Sequence, residues 1–312
     1  MNSLIIKLAP RGFCTVALSA VSSAPKLSTI RGLASASHCD LVAFSVDKET
    51  KVGTITLNSP DSFNALTVDM GKVFQDLVVN QLIPGLQSGS VNVNALVLTG
   101  SGRSFSAGGD REWLKSLSDN PTHINSDLML SFYRSYLCIR DVPVPTVAAI
   151  NGPAVGAGAC LATACDLLVA SPNSKIGFTF ASLGIHAGMG GSHFLPLSIG
   201  RSAANEALLT GKMFTGIEGL RIGLVNRLSG SNESEEVKRL ARKMAEKIAS
   251  QHPVAVRSMT RSIRLKEDAG LELALSREAQ SQALCYARSD WGEGIDANME
   301  RRDSMFEDYF AK

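Results

Sequence analysis

The chain of 312 residues is long enough to bury a sizeable core, and 45% hydrophobic against 19% charged residues is ordinary for a globular protein. No uninterrupted apolar run reaches the length of a transmembrane helix, so no membrane partner is expected. The formal charge of +2 is uneven: four of the 31 basic residues, Lys7, Arg11, Lys26 and Arg31, precede the first acid, Asp40, and the other 27 face 29 acidic residues, which excludes a broad nucleic-acid footprint.

Residues 1–39 combine those four basic side chains with many Ser, Thr and Ala and no acid, the composition of an organellar transit peptide. The apolar region at 13–21 would suit a secretory signal, but basic residues continue past it to Arg31, so import into the mitochondrial matrix is the expectation. Tyr309-Phe310-Ala311-Lys312 is not a peroxisomal Ser-Lys-Leu address. Two of the six cysteines, Cys14 and Cys39, fall in this leader; Cys138, Cys160, Cys165 and Cys285 show no metal-ligand spacing and are read as reduced, buried thiols, with no metal expected. Residues 40–230 are expected to form the core and residues 231–312 a helical region.

In chain order, 41–46 and 52–57 are β-rich runs around a charged turn, which predicts a hairpin. Thr67 can cap a helix with Met70, Val73, Phe74, Leu77 and Val78 on one face, closed by Pro84-Gly85. A buried strand at 95–99 feeds the loop 100–110, and Asp110 can cap the helix that starts at Arg111. The polar stretch 119–131 is predicted irregular and 132–139 helical, ending near Pro143 and Pro145. Short strands at 167–170 and 175–178, a flexible loop at 184–191 and a Thr215/Glu218 capping box follow. Beyond Ser234, Val237, Leu240, Ala241, Met244 and Ile248 recur at helical spacing, as do apolar residues in 271–288 and 292–306. Such helices are expected to pack on the main domain or on a neighbouring subunit. The segments 95–118 and 146–165 share one plan of strand, Gly-rich loop and helix.

The second of these loops, 151–166, carries Gly152, Gly156 and Gly158 after the apolar run 145–150. Their spacing fits neither a phosphate-binding P-loop nor a dinucleotide fingerprint. A strand feeding small residues and then a helix turns free N–H groups towards one point, an anion site; close helix–sheet packing through small residues is the other reading.

With both loops in place the chain resembles the enoyl-CoA hydratase/isomerase (crotonase) superfamily. The matching stretches are Asn64-Ala65-Leu66, Leu98-Thr99-Gly100 through Phe105-Ser106-Ala107-Gly108-Gly109-Asp110, Ala149-Ile150-Asn151-Gly152 through Asp166, and Gly223-Leu224-Val225. The resemblance implies an α/β fold, a crotonase-like spiral of strand-strand-helix units with a C-terminal helical oligomerisation region that builds a homotrimer or homohexamer. It also implies an acyl-CoA thioester as ligand, coenzyme A being part of the substrate and no further cofactor required. The N–H groups of Gly109 and Ala157 would then form an oxyanion hole, where two preorganised donors stabilise a thioester enolate without a metal. Ser62, Phe63, Asn64, Ala65, Leu66 and Ala107 would wall the pantetheine and adenine ends, and Arg301 would meet CoA phosphates.

The sequence departs from the family at its acid/base positions. Family hydratases carry two glutamates where this chain has Cys160 and Phe180, and dienoyl-CoA and ring-opening isomerases carry an aspartate where it has Gly188. The pattern Phe180, Leu183-Gly184, Gly190-Gly191 is nearest the isomerase-like branch, so double-bond isomerisation is expected. A non-catalytic CoA-thioester binder and a hydratase with another base are the alternatives. Candidate bases are His186 in the Gly-rich loop, and Cys160, one helical turn from Ala157, where a helix start could lower its pKa. Asp110 and Glu112, beside Gly109, and His193, in the next helix, are further candidates, but capping and solvation explain the two acids first and packing explains the histidine first.

Overall fold

The structure, a computed structural model, describes residues 41–307; the segment expected to be a leader, with Cys14 and Cys39, and the C-terminal tetrapeptide lie outside them. The chain opens with the expected hairpin, β1 (Val42–Asp47) and β2 (Val52–Leu57), antiparallel with Val42 opposite Leu57. Thr67 Oγ1 accepts the Met70 N–H at 3.0 Å and starts α1 (Val68–Gln75), which buries Met70 and Phe74. Contrary to expectation, Pro84-Gly85 does not close this helix. It widens into a π-helical stretch, Asp76–Leu82, and continues as α2 (Ile83–Ser88) to Gly89 (φ 77°). The wide turn has already shifted the backbone pairing where the proline withholds its donor.

Then follow β3 (Ala95–Gly100), buried throughout, α3 (Arg111–Ser116) and α4 (Thr122–Leu137). The stretch read as irregular is therefore the first half of α4. Its polar Asn125 sits on the buried face because Nδ2 reaches the Leu117 carbonyl at 2.6 Å, which hides the helical period from an apolar count. The next segment gives β4 (Thr146–Ile150), β5 (Ala154–Val155), α5 (Ala157–Thr163), β6 (Leu167–Ala170) and β7 (Lys175–Gly177). After them come α6 (Gly191–Thr210), broken at Gly200, then β8 (Met213–Thr215), α7 (Gly216–Arg221) with its capping box, and β9 (Arg227–Leu228). Four helices complete the described chain: α8 (Ser234–Ala249), α9 (Pro253–Glu267), α10 (Leu271–Tyr286) and α11 (Ser289–Glu300). The helix expected to run to 306 stops at Glu300, where Arg301 turns left-handed (φ 58°). None of these helices is long and apolar enough to cross a membrane.

The strands form two sheets. The larger has the order β1-β2-β3-β4-β6-β9, parallel from β2 onward, and the smaller is β5-β7-β8. Two further bridges, Ser106 to Ala154 and Leu66 to Gly109, line up beside β5. Successive passes of the chain thus lay a strand in the large sheet and then a short segment at its end, which is the spiral expected for the fold. Parallel strands buried on both faces explain the uninterrupted apolar runs. One face packs Val97, Val147, Ala149 and Val169 against Val237, Ala241 and Ala245 of α8, whose small side chains allow close approach. The other face meets Phe74, Tyr136 and the main core.

Beyond residue 230 the helices divide their contacts: α8 lies on the sheet, and α10 packs along α4. Most of α9 faces outward, but Arg264 points in. Its guanidinium grips Asp166 through two bonds (2.8 and 2.5 Å) and donates to the carbonyls of Arg140, Val142 and Val144.

Candidate active site

The loop after β3 is held by two asparagines from neighbouring passes. Asn64 donates through Nδ2 to the carbonyls of Ser101 and Ser104, and Asn151 to those of Gly102 and Ser104. The bridge to Leu66 then fixes the next residues: Leu66 N–H donates to Gly108 O at 2.7 Å, and Asp110 N–H donates to Leu66 O at 3.0 Å. In a parallel bridge the middle residue points the other way, so the Gly109 N–H faces outward from this pairing and meets no acceptor among the described residues. Gly108 must be glycine, since its φ is 96° and a Cβ would lie 2.7 Å from Val155 O.

The second loop approaches from β5. Val155 N–H donates to Ser106 O and Gly156 N–H to Gly177 O, which leaves Ala157 as the first residue of α5 with its N–H unpaired among the described residues. Gly158 packs directly on the first loop, where a Cβ would come within 2.7 Å of Ser106 Cβ. Gly158 thus serves the close packing, while the Ala157 N–H has no acceptor among the described residues.

Gly109 and Ala157 line one cavity of about 200 Å³. Its walls are apolar, including Phe132, Phe180, Leu183, Ile185 and Met189. Among the described residues that line it there is no carboxylate, histidine or cysteine; its charged group is Arg111. Ala107 stands at its rim.

The proposed acid/base candidates lie elsewhere. Cys160 is fully buried and off the cavity, and burial, with the Glu278 charge behind it, pushes its thiol well above the ordinary value. The lowered pKa anticipated from the helix start is overturned: seven residues of helix do not offset complete desolvation. Asp110 caps α3, accepting the Trp113 N–H at 2.8 Å, and Glu112 is exposed on the same helix. His186 Nδ1 lies 2.7 Å from Ala187 O, and His193 Nε2 2.6 Å from Glu267 O. None of these side chains reaches the cavity lining. Of the expected CoA wall, Asn64 and Leu66 are wholly buried and Ala65 nearly so, hence they position Gly109 rather than touch a ligand. Ser62, Phe63 and Arg301 are exposed outside the cavity, with Arg103 stacked over the Phe63 ring at 4.6 Å.

What the cavity does contain is a polar end contributed by α4 and α10. Tyr133 donates to Gln282 Oε1 at 2.8 Å, Tyr286 donates to the same oxygen at 2.9 Å, and Gln282 Nε2 donates to His186 O at 2.7 Å. A Cβ on Gly188 would fall 2.5 Å from the Tyr133 hydroxyl and 2.7 Å from Gln282 Nε2. The phenol and amide thus fill the space a side chain at 188 would need. Burial, then the neighbouring Tyr286 and Glu278, pushes the Tyr133 phenol well above its ordinary value, so it stays neutral. Glu278, one turn before Gln282, accepts from Gly190 N–H, Ser192 N–H and Ser192 Oγ, and pins the 188–192 loop. The loop expected to be flexible is therefore anchored. Trp291 from α11 also lines the cavity, and its buried Nε1–H has no partner among the described residues.

Sequence reasoning passed over Tyr133, Gln282, Tyr286 and Trp291. One signal was present: in α10, Glu278 and Gln282 recur with Leu275, Ala279 and Tyr286 on a single helical face, so polar groups occupy positions that periodicity assigns to the core.

The spiral of parallel strands thus brings two backbone N–H groups, Gly109 and Ala157, to one apolar cavity. The enoyl-CoA hydratase/isomerase family model matches residues 47–309. The chain is 34% identical to a putative enoyl-CoA hydratase of Thermus thermophilus, over 82% of this chain and 97% of that one. It is 33% identical to a crotonyl-CoA hydratase of Syntrophomonas wolfei, over 84% and 96%. The crystal structure of an enoyl-CoA hydratase from Mycobacterium avium subsp. paratuberculosis superposes with a TM-score of 0.72 at 26% identity, over 86% of this chain and 99% of that one. The chain belongs to the enoyl-CoA hydratase/isomerase family.

Proposed function

We propose that the protein is an acyl-CoA enzyme that holds an enoyl-CoA thioester by its carbonyl and shifts the double bond. The observation that carries this reading is the meeting of two unpaired donors, Gly109 N–H and Ala157 N–H, at one apolar cavity. A thioester oxygen placed there accepts from both, and gathers the enolate charge as the α-proton leaves. Ala107 at the rim would run beside the pantetheine, with Ser62, Phe63 and Arg301 assigned to the outer CoA.

Addition of water needs a group that activates water, and the cavity lining offers no carboxylate. A double-bond shift needs one proton taken at the α-carbon and one returned at the γ-carbon. The Tyr133 hydroxyl is assigned that exchange: it leaves its Gln282 acceptor, gives its proton to the γ-carbon as its oxygen takes the α-proton, and ends neutral as it began. A binder without turnover is the second reading, favoured by the same missing carboxylate. We also place the protein in the mitochondrial matrix, on the composition of residues 1–39, and as a homotrimer or homohexamer, supported by Met259 and Ile263 exposed on successive turns of α9.

The test is to supply 2-enoyl- and 3-enoyl-CoA and follow hydration and double-bond migration separately. Migration without hydration is expected. In Ala157→Pro the proline occupies the first helical position, where the backbone tolerates it, and only the donor is lost. Migration should then fall by about two orders of magnitude, the usual effect of one oxyanion donor. Thioester binding without either reaction would favour the binder, and fast hydration would overturn the assignment of Tyr133.

A further inference from the structure

We infer that Glu278 is a positioning residue for the proton exchange assigned to Tyr133: it holds the turn that walls the phenol, without touching the bound thioester. The inference rests on the double-bond shift proposed above. Glu278 is wholly buried in α10 and does not line the cavity. Its two oxygens take three donors from one short segment: Oε2 accepts from Gly190 N–H at 2.7 Å, and Oε1 from Ser192 N–H at 2.8 Å and from Ser192 Oγ at 2.6 Å. Burial raises the pKa of this carboxyl, and the same donors work against that rise. All three neighbours donate, so the ionised form is the one they fit.

The segment so held is one that the chain does not adopt readily. Gly191 N–H donates to Gly188 O at 3.1 Å, and the two residues between them, Met189 and Gly190, both have positive φ (59° and 75°). This is a type I′ turn, whose central positions favour Gly, Asn or Asp. Its first central position here carries a buried methionine that lines the cavity. A left-handed residue other than glycine persists where its surroundings over-determine it. Neither Gly190 N–H nor Ser192 N–H has a backbone acceptor among the described residues, so the carboxylate is what fixes the end of the turn.

Two contacts carry the position of this segment to Tyr133. Directly, Gly188 lies so close to the phenol that a Cβ there would fall 2.5 Å from the hydroxyl. Indirectly, His186 O accepts from Gln282 Nε2 at 2.7 Å, which orients the amide so that Oε1 accepts from Tyr133 at 2.8 Å. On its other side the segment rests on α5, where a Cβ on Gly191 would come 2.9 Å from Cys160 Sγ. The hydroxyl that exchanges the proton is thus set by a turn clamped between α5 and the Glu278 carboxylate.

The experiment compares Glu278→Gln, Tyr133→Phe and the double variant in the full chain. Glutamine keeps the shape, but one of its two ends is an NH2 that meets a donor where the carboxylate accepted from it. For 3-enoyl-CoA, kcat of double-bond migration should fall roughly ten- to a hundred-fold, the scale of a misplacement of about 1 Å, while calorimetric affinity for butyryl-CoA stays within about two-fold. Because Glu278 acts through the phenol, adding Glu278→Gln to Tyr133→Phe should cost nothing further. Ser192→Ala removes one donor and keeps the carboxylate; it should show the same non-additivity with a smaller loss. Should thermal melting show that Glu278→Gln does not fold, Ser192→Ala is judged by the same criteria in its place. The inference is overturned by a wild-type kcat in Glu278→Gln, by losses that multiply in the double variant, or by affinity that falls as far as kcat, which would make Glu278 a general support of the fold. In each of these cases the double-bond shift still stands. A wild type without migration, or Tyr133→Phe at full kcat, would instead refute that reading and this inference with it.

Discussion

Tyr133 stands in a position where small changes separate chemistry from structure. Its ring is buried edge-on to Phe132, while its hydroxyl is the group that faces both Gly188 and Gln282. Tyr133→Phe keeps the ring and removes that hydroxyl. Gln282 Oε1 retains Tyr286 as donor, so no buried acceptor is orphaned and the stability loss should stay near 1 kcal/mol. If Tyr133 carries the proton, migration of the double bond should fall by about 10²–10⁴ in kcat with little change in thioester affinity. An unchanged kcat in steady-state assays would remove Tyr133 from the chemistry. Gly188 bears on the same point from the other side: any larger residue there must displace the phenol and the amide together.

At the scale of elements, the two loops that deliver Gly109 and Ala157 could be read from the chain, because glycine and alanine runs after apolar strands betray their role locally. The α4 and α10 side chains could not, since they reach the cavity only through the packing of one helix on the other. Asn125 disguised the start of α4, and the acids and amides of α10 look like a solvated helix until the partner helix covers them. Helix α9 is the sharpest case, an outward-facing segment that nonetheless closes the core through Arg264. Asp166, the acid it grips, is raised by burial but lowered more by Arg264 and Thr146, so its carboxyl sits below the ordinary value. A carboxyl depressed in the folded state stabilises it at any pH above the unfolded value of about 3.9, and that contribution is lost as pH falls further through the folded value. Asp166→Asn leaves the buried guanidinium without its counter-charge and should cost about 3–5 kcal/mol at pH 7. Urea midpoints at pH 7 and near pH 3 should show the gap between wild type and variant narrowing in acid. A gap independent of pH would mean that the pair contributes shape and not charge.

For the molecule as a whole, the division at residue 230 matters less than where each later helix goes. One covers the sheet, one completes the cavity with Gln282 and Tyr286, and one adds Trp291. Helix α9 exposes Met259 (57%) and Ile263 (58%) on adjacent turns. If this face is shared between subunits, the wild type should elute as a trimer or hexamer by light scattering, and Ile263→Asp should release smaller species that keep their far-ultraviolet dichroism. A wild-type monomer at micromolar concentration would end that assignment.

Arg264 also sets an order of events during synthesis. Asp166 and the carbonyls of Arg140, Val142 and Val144 are made well before their common donor, Arg264, which follows Asp166 by 98 residues. Until it arrives, a carboxylate and three carbonyls at the base of the glycine-rich turn must keep water as their partner. The nascent chain therefore cannot seal that region early, and a product ending after α8 would hold the whole large sheet while its most buried acid stayed wet.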